Sequence, residues 1–279
     1  MLPTSSLLLL VSLSVCQLLT GLCVTSWGVY PTLTECWPFG RNLCQLQAVM
    51  RGALRQQNSL SLVLIALERY LHQVNYELHL TIFSKPLTIL YILLTWLSSL
   101  GLYSVIVFSL EGFYLSTSAF SVCEPHYRSV QMLVLTSCVF YFPTTMVLMY
   151  CYGTIYHSQK LKMKNRTALC AALPMMLGTQ AARRPIKLTE EAETLASLVR
   201  SLSAVSLTFI IMVTPWAILQ VITSVTMKQP PHAVDFTVNI LFSSYNFLGP
   251  FIFWLLNPRI RRLADLALYQ LVIIIFPVF

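Results

Sequence analysis

Residues 7–29, 87–110, 130–156, 195–225 and 234–256 are long, nearly unbroken apolar runs. A helix needs roughly 20 mostly apolar residues to cross a hydrocarbon core of about 30 Å, so each run is read as a transmembrane helix. No backbone group can go unpaired in lipid, and a chain of such runs is confined to a helical bundle. Composition agrees. Of 279 residues, 56% are apolar and 10% charged, against about 25% charged in soluble domains. Ten acidic residues cannot coat a globule of this size. A soluble enzyme, a disordered chain and a disulfide scaffold are excluded together.

A sixth run, 44–70, is apolar in its second half but carries Arg51, Arg55, Gln56, Gln57 and Asn58 in its first. Arg51, Arg55 and Asn58 fall at i, i+4 and i+7 and share one helical face. Intramembrane polar groups turn toward a bundle interior or a wet cavity, so this run also reads as a span. The Leu-rich start resembles a signal-peptide core, but a basic leader and an A-x-A site are missing.

The net charge of +8 is read by where the cations sit, and indicates no nucleic-acid partner. Segments 31–43, 111–129 and 226–233 hold only Arg41, Arg128 and Lys228. Segment 158–194 holds Lys160, Lys162, Lys164, Arg166, Arg183, Arg184 and Lys187, and Arg259, Arg261 and Arg262 follow the last span. The positive-inside rule places this second set in the cytoplasm. The expected product is an all-α, multi-pass protein of the cell membrane, six spans in one domain over 1–279, both termini cytoplasmic. The single sequon, Asn165-Arg-Thr, then lies inside and stays unglycosylated.

Glu68-Arg69-Tyr70 ends the second span, after Ser61-Leu-Val-Leu-Ile-Ala-Leu67. An acid–Arg–aromatic triplet at that place resembles the third-helix signature of the rhodopsin-like G-protein-coupled receptors. Cys44 stands 25 residues before Arg69, where that family places the cysteine that pairs with the second extracellular loop, and Cys123 lies in that loop. Trp37-Pro-Phe-Gly40 resembles the family's first extracellular loop, and Trp96 its fourth-helix tryptophan. Pro143 with Cys151-Tyr152 is similar to the fifth helix, Phe209 six residues before Pro215 to the sixth, and Asn257-Pro258 to the seventh-helix motif. Residues 262–271 would form the short helix on the membrane surface. The spans resemble helices two to seven, so the expectation is a receptor lacking its first helix.

The resemblance implies a disulfide between Cys44 and Cys123. It implies a G-protein contact through Glu68, Arg69 and Tyr70, with Glu190, Glu191 or Glu193 as a further restraint on Arg69. Tyr152, Phe209, Pro215, Asn257 and Pro258 would form the activation switch. Arg51 and Arg55 fall where such receptors contact ligand. Like charge disfavours an amine there, whereas a carboxylate or phosphate suits a guanidinium fork. Asp235 is an alternative, internal partner. Three departures oppose ordinary switching: Gln17 replaces the sodium-binding aspartate, Val213 the aromatic two positions before Pro215, and Arg261 the seventh-helix tyrosine.

The leading reading is therefore a receptor that passes binding of an extracellular, anionic ligand to a heterotrimeric G protein. One alternative is a truncated, non-signalling chain that associates with full-length receptors. A transporter rests on the polar face of 44–70 alone. Intramembrane carboxylate pairs, catalytic constellations, metal-ligand spacings and cofactor motifs do not occur, so neither enzyme activity, metal nor cofactor is expected.

Overall fold

The computed structural model describes residues 3–34, 37–109, 113–116, 122–125, 141–172, 185–226, 231–257 and 261. Helix α1 (Thr4–Leu19) runs through a π-helical turn, Thr20–Thr25, into α2 (Ser26–Thr34). The chain then reverses at Trp37-Pro-Phe-Gly40. Gly40 sits at φ +75°, where a side chain would be strained, and the Trp37 indole N–H donates to the Gly40 carbonyl at 2.9 Å. That turn launches α3 (Gly40–Val74), 35 residues and about 52 Å at the usual helical rise.

Asn75 ends α3 and caps α4 (Tyr76–Ile82), its side-chain oxygen accepting from the Leu78 N–H at 3.1 Å. Pro86 lies in the first turn of α5 (Lys85–Ser104), where no helical N–H is lost. Strands β1 (Phe113–Ser116) and β2 (Val122–Pro125) pair antiparallel, Leu115 opposite Cys123. Helices α6 (Phe142–Ala172), α7 (Pro185–Thr226, with Pro215 inside) and α8 (His232–Leu256, with Pro250 inside) complete the described chain.

The chain divides into two compact units, one of residues 1–158 and 210–246, the other of 159–209 and 247–279. In the first, α3 is the hub and packs against α1, α4, α5 and β2. It meets α5 and the π-helical turn that follows it, Val105–Ser109, around Ala48, Ala53, Tyr103 and Val107. At Gly52 a Cβ would fall 2.1 Å from the Tyr103 ring, so glycine sets how closely these helices approach. The Trp96 indole N–H donates to Ser12 Oγ at 3.1 Å, tying α5 to α1. In the second unit, Leu198, Leu202, Val205 and Phe209 are buried along one helical stripe. Phe247, Phe251 and Trp254 stack in a row, centroids 6.4 and 5.8 Å apart.

Four described stretches are long and apolar enough to cross a bilayer: Thr4–Gly28, Lys85–Phe108, Ala196–Thr223 and Ala233–Leu256. They match four of the six expected spans. Residues 44–70 are helical throughout within α3, but their polar content is turned inward: Gln47, Gln56, Gln57, Asn58, Glu68 and Arg69 are all buried. Part of 130–156, and all of 262–271, lie outside the described residues. The fold is helical as expected, and the 111–129 loop contains in addition the short β1–β2 pair.

Candidate functional site

Arg51 and Arg55 lie one turn apart on α3, both half-buried. Their outcomes differ. The Arg55 guanidinium carbon is 4.2 Å from the Trp216 ring centroid on α7 and 4.5 Å from that of Phe242 on α8. The two rings are themselves 5.2 Å apart. Arg55 Nε and Nη2 are buried and have no hydrogen-bond partner among the described residues, and the same holds for Trp216 Nε1. Two aromatic faces attract the cation but offer its N–H groups no acceptor. Asp235, a candidate partner from the sequence, accepts from the Asn239 side chain at 2.9 Å. Deeper, the buried Tyr245 hydroxyl faces Asn58 and Gln17, so neutral groups gather around it.

The triplet at the other end of α3 is densely bonded. Glu68 and Arg69 are 0% and 1% exposed. Arg69 Nη2 donates to Glu68 Oε1 at 2.7 Å, and Arg69 Nε pairs with Oε2. Ser6 and Ser5 of α1 donate to Oε1 at 2.8 and 3.2 Å, and Ser6 Oγ also accepts from Arg69. His79 Nε2 of α4 reaches the same oxygen at 3.0 Å. A carboxylate only accepts, so His79 must donate from Nε2. Removing one member of such a buried pair usually costs about 3–5 kcal/mol. Arg69 Nη1 has no hydrogen-bond partner among the described residues. The side chains of Glu190, Glu191 and Glu193 lie outside them. Tyr70 packs against Tyr150 of α6, centroids 5.7 Å apart.

Cys44 and Cys123 form a disulfide, Cα atoms 5.3 Å apart. It fastens β2 to the start of α3, and Gln47 adds a second tie by accepting from the Cys123 N–H at 2.9 Å. The expected switch residues divide between the units. Tyr152, half-buried, and Pro215 belong to the first; Phe209 and Asn257, both buried, belong to the second. Asn257 directly follows α8 and accepts through its carbonyl from the Arg261 N–H at 3.0 Å, and Pro258 is outside the described residues. Among the described residues no three His, Cys, Asp or Glu side chains are grouped to hold a metal.

Sequence reasoning missed Trp216, Phe242, Ser5, Ser6 and His79. Each is an ordinary helix residue whose meaning comes from a distant partner. His79 alone carried a local signal, a histidine eleven residues beyond Glu68 in a polar loop.

Residues 2–257 match the family described as 7 transmembrane receptor (rhodopsin family). No curated protein matches the chain.

Proposed function

Because the chain belongs to the rhodopsin family of seven-transmembrane receptors, we propose that it is a receptor for an extracellular anionic ligand, coupled to a heterotrimeric G protein. Its six spans, 7–29, 44–70, 87–110, 130–156, 195–225 and 234–256, form one membrane domain with the basic 158–194 loop and both ends in the cytoplasm. Arg51 and Arg55 hold the ligand.

The observation that carries this reading is Arg55 against Trp216 and Phe242 with two N–H groups unpaired among the described residues. A desolvated cation–π contact contributes about 2 kcal/mol, whereas a buried ion without a counter-charge costs several. A carboxylate or phosphate makes up the difference with charge-assisted hydrogen bonds. To reach the guanidinium it displaces aromatic contact at Trp216, the residue after Pro215, and so biases the packing of α7. Ligand selects one of two helix arrangements, and Tyr152, Phe209, Asn257 and Pro258 transmit the choice to Glu68, Arg69 and Tyr70.

The test is thermal unfolding of the purified chain in nanodiscs against carboxylates and phosphate monoesters of graded size. A stabilising member is expected, and its effect should vanish in Arg55→Gln. Stabilisation that survives this change overturns the site. Arg69→Ala should abolish G-protein output, and unchanged output overturns the coupling route. A second reading, a non-signalling partner of other receptors, is favoured by Gln17, the buried Val213 and the exposed Arg261. Surface labelling without constitutive or ligand-driven nucleotide exchange would support it.

A further inference from the structure

We propose that the ligand of Arg55 is a long-chain monocarboxylate taken from the outer leaflet of the bilayer: its acyl chain lies in an apolar groove between α7 and α8, and its carboxylate pairs with the Arg55 guanidinium. The proposal rests on the anion reading given above and names the ligand's chemical class.

The open atoms of Arg55 select the head group. Nε and Nη2 carry the two N–H bonds that run parallel along one edge of the guanidinium plane, and these are the two buried atoms without a hydrogen-bond partner among the described residues. Two parallel donors match the two oxygens of a carboxylate. The Trp216 Nε1–H, also without a partner among the described residues, supplies a third donor from the ring beneath the cation. One guanidinium stands behind this fork, and a carboxylate neutralises it one for one. A phosphate monoester carries about −1.5 to −2 at neutral pH.

What lies beside this cluster specifies the rest of the ligand. Ile218, Leu219, Ile222, Val234 and Val238 line a groove of about 590 Å³ between α7 and α8, within the usual range of about 300–1,000 Å³ for small-molecule sites. The one hydroxyl on its walls, that of Thr214, donates to the Ile210 carbonyl, so the groove offers a ligand only hydrocarbon. Both walls belong to stretches long and apolar enough to cross a bilayer, and Ile218, Ile222 and Val234 are exposed at its mouth. The groove opens toward lipid, beside the extracellular connection of α7 to α8.

Groove and cation are joined along one seam. On α8, Val234, Val238 and Phe242 fall at i, i+4 and i+8; on α7, Ile222, Leu219 and Trp216 succeed one another at three-residue spacing. These two ridges end at the Trp216–Phe242 ring pair, centroids 5.2 Å apart, on which Arg55 rests. Val238 and Phe242 are separated by about 6 Å of helical rise. An uncharged lipid tail gains nothing here over the bilayer, because lipid is as apolar as the walls. A tail that ends in a carboxylate differs, since it compensates a buried charge.

The experiment uses the full chain in nanodiscs of synthetic phosphatidylcholine at about pH 8, where carboxyl groups are ionised. The concentrations of palmitate, butyrate, hexadecanol and hexadecyl phosphate that give half the maximal rise in unfolding midpoint are measured for the parent, Arg55→Gln, Val238→Trp and Ile218→Trp. The bilayer concentrates palmitate for all four chains alike, so the groove is read from the variants. Arg55→Gln is expected to weaken palmitate about thirtyfold. Each tryptophan fills one wall of the groove and is expected to weaken palmitate about tenfold while leaving butyrate as in the parent. Ligand-free midpoints report that the tryptophan chains are folded. Palmitate unaffected by both tryptophans overturns the proposal, as does hexadecanol equal to palmitate or hexadecyl phosphate tighter than palmitate. If butyrate stabilises through Arg55 and palmitate does not, the long chain is wrong and the anion reading stands. If no anion stabilises the parent, the anion reading itself fails.

Discussion

Arg55 lies over Trp216, its guanidinium carbon 4.2 Å from the indole centroid, and the neighbouring Phe242 ring stands 4.5 Å from the same carbon. The arrangement joins α3, α7 and α8 through a cation with no anion beside it among the described residues. Replacing a buried charge by an apolar side chain of similar length is often neutral or stabilising by about 1–4 kcal/mol. Arg55→Met should therefore raise the ligand-free midpoint of thermal unfolding, by roughly 2–4 °C for each kcal/mol gained, while destroying any response to an anionic ligand. A fall in the midpoint would mean that the cation–π contacts outweigh the uncompensated charge.

The opposite substitution in the same cluster has the opposite sign. Trp216→Ala removes a large aromatic surface and leaves the guanidinium with one face covered, so a loss of about 3–5 kcal/mol is expected. The double change Arg55→Met with Trp216→Ala should cost less than the sum of the separate effects, because their mutual contact is already gone. Chemical denaturation of the four chains in mixed micelles measures the coupling.

The helices were legible because lipid imposes a length and a composition on whatever crosses it. Thr4–Gly28, Lys85–Phe108, Ala196–Thr223 and Ala233–Leu256 carry that signature. Residues 44–70 were harder, since a buried polar face lowers hydropathy, and only the spacing of Arg51, Arg55 and Asn58 revealed it. The Cys44–Cys123 bond was reached by resemblance and is present. The hairpin it anchors was not foreseen, because four-residue strands leave little pattern. Partners such as Trp216 for Arg55, or Ser6 for Glu68, were out of reach. They are set by how helices far apart in sequence pack, and no local periodicity encodes that.

The disulfide closes a loop with a sequence separation of 79 residues. On the chain-entropy model a closure of this length stabilises by about 4 kcal/mol. Cys44→Ala and Cys123→Ala should each lower the unfolding midpoint, and the double variant should be no worse than either. Reducing agent should bring the parent chain to the same value. Additive losses in the double variant would show that the two sulfurs act separately. Gln47→Ala should weaken the same attachment more mildly, by about 1 kcal/mol, as it removes one hydrogen bond to the Cys123 N–H.

The closest approach of α3 and α5 is decided at one position. A Cβ on residue 52 would stand 2.1 Å from Cδ1 and 2.3 Å from Cε1 of Tyr103, whose ring is buried and cannot swing into open space. Gly52→Ala therefore forces the helices apart or drives Tyr103 off its rotamer. Overpacking of this kind costs about 1–3 kcal/mol, against the few tenths to 1 kcal/mol that alanine gains over glycine within a helix. The net expectation is a lower unfolding midpoint and less protein at the cell surface. If the clash is the cause, shortening the ring should relieve it: Gly52→Ala combined with Tyr103→Leu should be more stable than the sum of the single effects requires. Strict additivity would assign the loss to α3 itself. A Gly52→Ala chain as stable as the parent would show that α3 and α5 are free to separate at this level.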